Sequence, residues 1–310
     1  MTLYRAPEPG TVDASNLALV FDLDGVIVDV TKSYRQGYVD SISYFLGELG
    51  LAPESSRGLF SLEDVHLLKT HRDFNAPHTM LDFLVRMALR AVALNPGLRL
   101  NPENSGIGDW IREGLQDGRL DHWKSAIQQG LSSEQIAWVE SKADRDHALE
   151  LCHECYVGSD AVASVYGHKP SLKVSGLCGQ DQLIMSSTRP APACPLGVYT
   201  GRVYGEASFL IQRFEFFREV KDEHICTIDR GYKKPECSAL EKLYDDLGAR
   251  EMLYIGDVPA DRAAALSFRR QNPEKRLWLA QVLATPETAY WSEAEFVASE
   301  PESVLDSLGI

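Results

Sequence analysis

The sequence predicts an α/β protein: a parallel β-sheet flanked by helices and interrupted, after its first strand, by a long and mainly α-helical insertion. Three observations predict it. Leu17–Phe21 (LALVF) is an unbroken apolar run, the composition of a strand buried on both faces of a parallel sheet. From Leu196 onward, short apolar segments alternate with helical ones at βαβ spacing. Between these regions, Val30 to about Ile184 reads as helices and loops with no strong strand. The chain has 310 residues, enough for one large or two medium domains. The division it suggests is 1–29 with 185–310 as the sheet domain and 30–184 as the insertion.

Taken in order, Met1 to Asn16 is polar, contains proline and lacks the apolar stretch of a signal peptide, so it reads as a short arm. The first strand ends at Asp22-Leu23-Asp24-Gly25. Asp29 or Thr31 is expected to cap a helix running to about Gly50, with Tyr34, Tyr38, Ile42, Phe45 and Leu49 near helical spacing. Leu51–Ser61 is a break, Leu62 to about Thr70 a short helix, and Lys69–Asn75 a polar stretch dense in donors. Pro77 suits the first turn of a long helix to about Leu94. Helical segments are expected near Asp109–Gln116, Leu120–Gly130 and Ser132–Tyr156, the last opened by a capping box, Ser132-Ser133-Glu134-Gln135. Gly158–Gln180 is irregular, and Ser186–Pro195 is a proline-bearing linker. Strands follow at Leu196–Thr200, His224–Ile228, Met252–Ile255 and Leu277–Val282. Helices lie between them at Ala207–Phe217, from Lys233-Lys234-Pro235 through Leu247, and at Asp261–Phe268.

Composition excludes several classes. The net charge is −14, from 45 acidic and 31 basic residues, which argues against a nucleic-acid partner. No apolar run is long enough to span a membrane. The six cysteines are scattered and do not resemble a disulfide framework; Cys152-His153-Glu154-Cys155 is a lone CxxC, read as reduced thiols rather than a zinc or redox site. A cytoplasmic protein is expected.

The chemistry is concentrated at Asp22 and Asp24. Two acids held rigidly at the carboxyl end of a buried strand need a cation or a proton to coexist, and that end is where ligands bind in open α/β sheets. Asp22-Leu23-Asp24-Gly25, Thr200 at a strand end, Lys234 before Pro235, and Gly256-Asp257-Val258-Pro259-Ala260-Asp261 (GDxxxD) then follow one another in an order that resembles the haloacid dehalogenase-like (HAD) superfamily. With its long insertion after the first motif, the chain is similar to phosphatases of HAD subfamily IA. The resemblance implies a Rossmann-like HAD catalytic core, an inserted helical cap domain, and Mg²⁺-dependent hydrolysis of a small phosphorylated metabolite.

The resemblance also implies the roles. Asp22 would be the nucleophile that forms an aspartyl-phosphate, and Asp24 the general acid and base. Thr200, helped by the backbone of Gly201, would hold a phosphate oxygen, and Lys234 would neutralise nucleophile and phosphate. Mg²⁺ would be held by Asp22, the backbone carbonyl of Asp24 and Asp257, with Asp261 orienting Lys234 or a metal-bound water. Arg202 is a candidate phosphate ligand. In the cap, Tyr34, Arg35, Lys69, His71, Arg72 and Asn75 are candidates for substrate choice, Arg35 and Asn75 foremost. A phosphomutase and a catalytically idle HAD-like binding protein are the alternatives, and cap helices could pair in a homodimer. Dehalogenation is disfavoured, because halide departure needs no acid at Asp24.

Overall fold

A computed structural model describes residues 2–8, 11–51, 58–69, 71, 74, 76–97, 100–283 and 288–310. The chain divides into two compact units, Met1–Val30 with Gln182–Ile310, and Thr31–Asp181.

The first unit begins with β1 (Leu3–Arg5), β2 (Leu17–Phe21) and the two-residue β3 (Val28–Asp29). The segment read as a short arm thus supplies a strand, and its partner lies near the other end of the chain, where no single-sequence pattern reveals it.

The second unit is helical: α1 (Tyr34–Glu48), α2 (Leu62–Lys69), α3 (Pro77–Leu94), α4 (Ile107–Asp117), α5 (Trp123–Gln128), α6 (Ser133–Lys142), α7 (Arg145–Val157) and α8 (Val162–Tyr166). Its core is built on α3, where Met80, Leu84 and Met87 are buried with Ile42 and Phe45 of α1 and Leu151 of α7. Neither Asp29 nor Thr31 caps α1; the helix starts after Ser33, because the chain is still in β3 at Asp29. Ser132 does form the capping box with Gln135. The single helix expected over Ser132–Tyr156 is two, because the Asp144 carboxylate accepts from the His147 N–H at 3.0 Å and starts α7 afresh. Glu154, fully buried on α7, organises the irregular segment beyond it: its carboxylate accepts from the backbone N–H groups of Ser171 and Leu172 and the hydroxyl of Ser159.

Back in the first unit come β4 (Gln182–Leu183), β5 (Leu196–Tyr199), α9 (Tyr204–Ile211), β6 (Ile225–Cys226), α10 (Ser238–Leu247), β7 (Glu251–Gly256), α11 (Pro259–Gln271), β8 (Arg276–Val282), β9 (Phe296–Ala298) and α12 (Pro301–Ser307). β3 and β4 pair antiparallel as a small ribbon. Among the described residues the main sheet has seven strands in the order β1-β9-β8-β7-β2-β5-β6, parallel except for β1 against β9. β2 lies between β7 and β5, and all five of its residues are buried. The strand period of two sends its side chains to both faces. Leu17, Leu19 and Phe21 join one core with α9 and α12 residues; Ala18 and Val20 join the other with α10 and α11 residues.

Several boundaries differ from expectation for local reasons. α9 stops at Ile211, and Phe216 and Phe217 pack edge-on against Phe21 from a 3₁₀ turn, at ring-centroid separations of 5.5 and 5.3 Å. β6 ends at Cys226, where the Thr227 hydroxyl bonds Asp229 and turns the chain. α10 begins at Ser238 rather than beside Pro235. β9 and α12 lie beyond the elements the sequence predicts. Among the described residues, no helix is long and apolar enough to cross a membrane.

Candidate active site

Three adjacent strands deliver the polar residues. β2 pairs with β5 and β7 through Phe21, opposite Val198 and Ile255, so Asp22, Thr200 and Asp257 all emerge just past the same end of the sheet. The Asp22 N–H donates to the Ile255 carbonyl at 2.9 Å, fixing its backbone, and the Leu23 N–H donates to Asp22 Oδ1 at 2.7 Å. Gly25 turns the chain with φ +75°; a Cβ there would fall 1.9 Å from Asp257 Oδ2, so the close approach of the two loops requires glycine. Thr200 is buried, and its N–H donates to the Cys226 carbonyl at 3.1 Å.

Asp261, in the first turn of α11, is fully buried and saturated. Its Oδ2 accepts from the N–H groups of Asp257 and Val258 at 3.1 and 3.2 Å, and its Oδ1 from the Tyr254 hydroxyl at 2.6 Å. Lys234 reaches in from the loop after β6. Its Nζ lies 2.6 Å from Asp261 Oδ1 and 2.9 Å from Asp22 Oδ2. Carboxylate oxygens of Asp22, Asp257 and Asp261 all lie within 4.8 Å of one another.

This packing perturbs the acids. Burial pushes the Asp22 carboxyl up from 3.8 to about 7, against the pull of Lys234 and with help from the charges of Asp261 and Asp24. Asp257 is raised well above the carboxylate range by burial and by Asp261 and Asp22. Burial alone would lower Lys234, but Asp22 and Asp261 outweigh it and hold the ammonium charged. Three clustered carboxylates thus face one ammonium, and Asp257 Oδ1 is buried without a hydrogen-bond partner. An orphaned, desolvated oxygen in an all-carboxylate cluster fits a hard divalent cation such as Mg²⁺.

Asp24 and Arg202 meet directly. Arg202 Nε and Nη2 donate to Asp24 Oδ1 at 3.0 and 2.6 Å, and Nη1 lies 3.4 Å from Glu206. Sequence reasoning missed Glu206 and Tyr254. Glu206 carries a faint signal, an acid four residues after an arginine at the start of a helix. Tyr254 carries none, since it reads as one more strand residue.

Of the remaining candidates, Gly201 is exposed with open space at its Cβ position. Arg35 lies half-buried on α1 of the second unit, and Asn75 and Arg72 fall outside the described residues. His71 lies 3.4 Å from Asp121, and Lys69 sits over the Tyr38 ring at 5.4 Å. Cys152 and Cys155 are buried free thiols, and among the described residues neither joins a group of three or more metal-ligating side chains.

Neither a family model nor a curated protein sequence matches the chain. Solved structures do. Phosphatase Tt82 from Thermococcus thioreducens is 19% identical with a TM-score of 0.55, covering 94% of this chain and 100% of that one. A structural-genomics target, ZR25, is 13% identical with a TM-score of 0.59, covering 94% and 98%. A HAD-superfamily hydrolase of subfamily IA, variant 1, from Geobacter sulfurreducens PCA is 15% identical with a TM-score of 0.43, covering 94% and 96%. At these identities the likeness is one of fold. With the Asp22, Thr200, Lys234 and Asp257 positions gathered at one end of a mostly parallel, Rossmann-like sheet, the chain shares the α/β fold of phosphatase Tt82 and of target ZR25.

Proposed function

We propose that the protein is a Mg²⁺-dependent phosphatase that hydrolyses a small phosphate monoester through an aspartyl-phosphate on Asp22. The observation that carries this reading is the position of Lys234, its ammonium bridging Asp22 Oδ2 and Asp261 Oδ1. A phosphate monoester is an anion that must be attacked by another anion, so charge at the nucleophile has to be neutralised without blocking it. Lys234 contacts only one of the two Asp22 oxygens with its charge, and Asp261 holds it there. The four hydrogen bonds and contacts on Asp261 are those of a group that orients Lys234.

Asp22 and Asp257, with the backbone carbonyl of Asp24, would hold Mg²⁺. When bound, the ion supplies positive charge to the phosphoryl oxygens and the nucleophile. Asp22 attacks phosphorus as the ester P–O bond breaks, and Asp24 gives its proton to the departing alkoxide. Asp24 then takes a proton from water, which attacks the phosphorus and frees inorganic phosphate and the Asp22 carboxylate. Thr200 would donate to a phosphoryl oxygen, with Gly201 leaving room beside it.

The test is a panel of phosphate esters with Mg²⁺ and with chelator. Metal-dependent phosphate release, lost in Asp22→Asn, is expected, together with a hydroxylamine-sensitive phosphoprotein in the wild type. Intact Mg²⁺ binding with no turnover of any ester would overturn the reading.

A further inference from the structure

Arg202 sits where a phosphate ligand would be sought, at the second residue past Thr200, but its surroundings assign it elsewhere. Its side chain is 3% exposed, as is that of Glu206. Two of its guanidinium nitrogens end on Asp24 and a third faces Glu206, so the fork already has two carboxylates around it. A bidentate arginine site is geometrically specific, and one filled on two sides by acids is poorly placed to take a third anion. The backbone is pinned as well. The Arg202 N–H donates to Thr200 Oγ1 at 3.3 Å, and its carbonyl accepts from the Ile228 N–H at 3.2 Å.

Resting on the phosphatase reading, we infer that Arg202 is a positioning residue for proton transfer: with Glu206 behind it, it fixes the Asp24 carboxylate against the leaving-group oxygen. Both hydrogen bonds end on Asp24 Oδ1, so Oδ2 is outside the clamp and is the oxygen that exchanges the proton. The Asp24 side chain is 40% exposed while its clamp is buried, which anchors a group at the edge of solvent on a rigid base. Glu206 has a separate task. A buried guanidinium paired with Asp24 alone would lose its counter-charge each time Asp24 carries the proton, and a buried unpaired charge is costly. Glu206, in the first turn of α9, keeps it balanced through the cycle.

The two partners are 178 residues apart in sequence, so the clamp ties the loop after β2 to the loop after β5. Thr200-Gly201-Arg202 then serves both ends of the ester bond, phosphate through Thr200 and leaving group through Arg202 and Asp24.

The test compares first-turnover rates of Arg202→Met and Arg202→Lys with an alkyl phosphate and with 4-nitrophenyl phosphate, whose leaving group departs without a proton. General acid catalysis is worth about 10²–10⁴-fold, so Arg202→Met is expected to lose at least about 100-fold with the alkyl ester and less than about tenfold in the nitrophenolate burst. Arg202→Lys keeps the charge but not the fork and is expected to fall between wild type and Met with the alkyl ester only. Calorimetric binding of inorganic phosphate in the presence of Mg²⁺ should be unchanged in both. Equal losses with both esters, weakened phosphate binding, or loss of the native fold even in Arg202→Lys would overturn the inference. A wild-type protein inactive on every ester would overturn the phosphatase reading and this one with it, whereas an active wild type with unaffected variants overturns this one alone.

Discussion

Replacing Asp22 by asparagine should make the metal-free protein more stable, and only above a defined pH. The Asp22 side chain is 7% exposed, and burial outweighs the attraction of Lys234, so its pKa rises from 3.8 to about 7 on folding. Below 3.8 the carboxyl is protonated in both folded and unfolded chains and contributes nothing different from a neutral side chain. Between 3.8 and about 7 the folded state holds a proton that the unfolded state has lost, so stability falls as pH rises. Above about 7 that loss is complete. At about 1.4 kcal/mol per pH unit, the interval amounts to about 4 kcal/mol. The asparagine side chain is nearly isosteric with the protonated acid and carries no charge to desolvate; its one oxygen can accept from the Leu23 N–H or from Lys234 but not from both, since these meet different oxygens of Asp22. The Asp22→Asn variant should therefore match the wild type near pH 4 and exceed it by about 4 kcal/mol at pH 8. Urea unfolding in chelator across that range measures this, since urea leaves charge interactions unscreened. The sheet unit can be followed by the emission of its buried Trp278 and Trp291. A variant whose advantage over the wild type is no larger at pH 8 than at pH 4, or one less stable than the wild type at pH 8, would refute the view that burial holds the Asp22 carboxylate in a desolvated, destabilising position.

Three other perturbations bear on the same cluster. Mg²⁺ binding near pH 6 should release protons, because Asp22 and Asp257 are raised by burial and must ionise to serve as ligands; affinity should climb towards pH 7 and then flatten for the Asp22 contribution. Calorimetry in buffers of different ionisation enthalpy reads the proton count, and none released at pH 6 would contradict this. Gly25→Ala should abolish Mg²⁺ binding and turnover, since its Cβ would lie 1.9 Å from Asp257 Oδ2. Gly231→Ala, with φ +90° and nothing within 4 Å, should show only the left-handed backbone cost of about 1–2 kcal/mol and keep its metal response. Lys234→Met leaves Asp22 and Asp261 buried without a counter-charge, so above pH 7 it should lose about 3–5 kcal/mol of stability along with activity, as seen by urea unfolding and ester hydrolysis.

How far the molecule can be read from its sequence depends on where each residue's partner lies. β2, β5, β7 and β8 were legible because strands buried on both faces are apolar along their whole length, and a run such as LALVF has few other uses. α3 was legible through Pro77 and its apolar content, and α6 through the Ser132 box. β1 and β9 were not, since each is a three-residue element stabilised by the other across most of the chain. Helix ends at Ile211 and Lys142 were missed because packing around Phe21 and the Asp144 cap override a smooth helical pattern. At the site, Asp22 and Asp24 could be singled out as paired acids at a strand end, and Thr200, Lys234 and Asp257 through the resemblance of their motifs to those of the HAD superfamily. What their spacing could not give was the division of labour: that Asp261 is already saturated by Tyr254, Lys234 and two amides, or that Arg202 turns to Asp24.

That division of labour also separates the acids by environment. Asp261 has four partners, Asp24 has the Arg202 clamp and remains partly exposed, while Asp22 and Asp257 are desolvated with too few partners between them. The first two are held in place by neighbours that the chain itself provides. The last two are raised in pKa because the fold leaves part of their charge unanswered. On the proposed function, a cation held by Asp22 and Asp257 and a phosphoryl group at Asp22 would answer it together, and the electrostatic cost carried by the cluster would become binding free energy when both arrive. Glycine at position 25 keeps that arrangement tight, because any side chain there would push Asp257 out of the cluster and relieve the strain without a ligand.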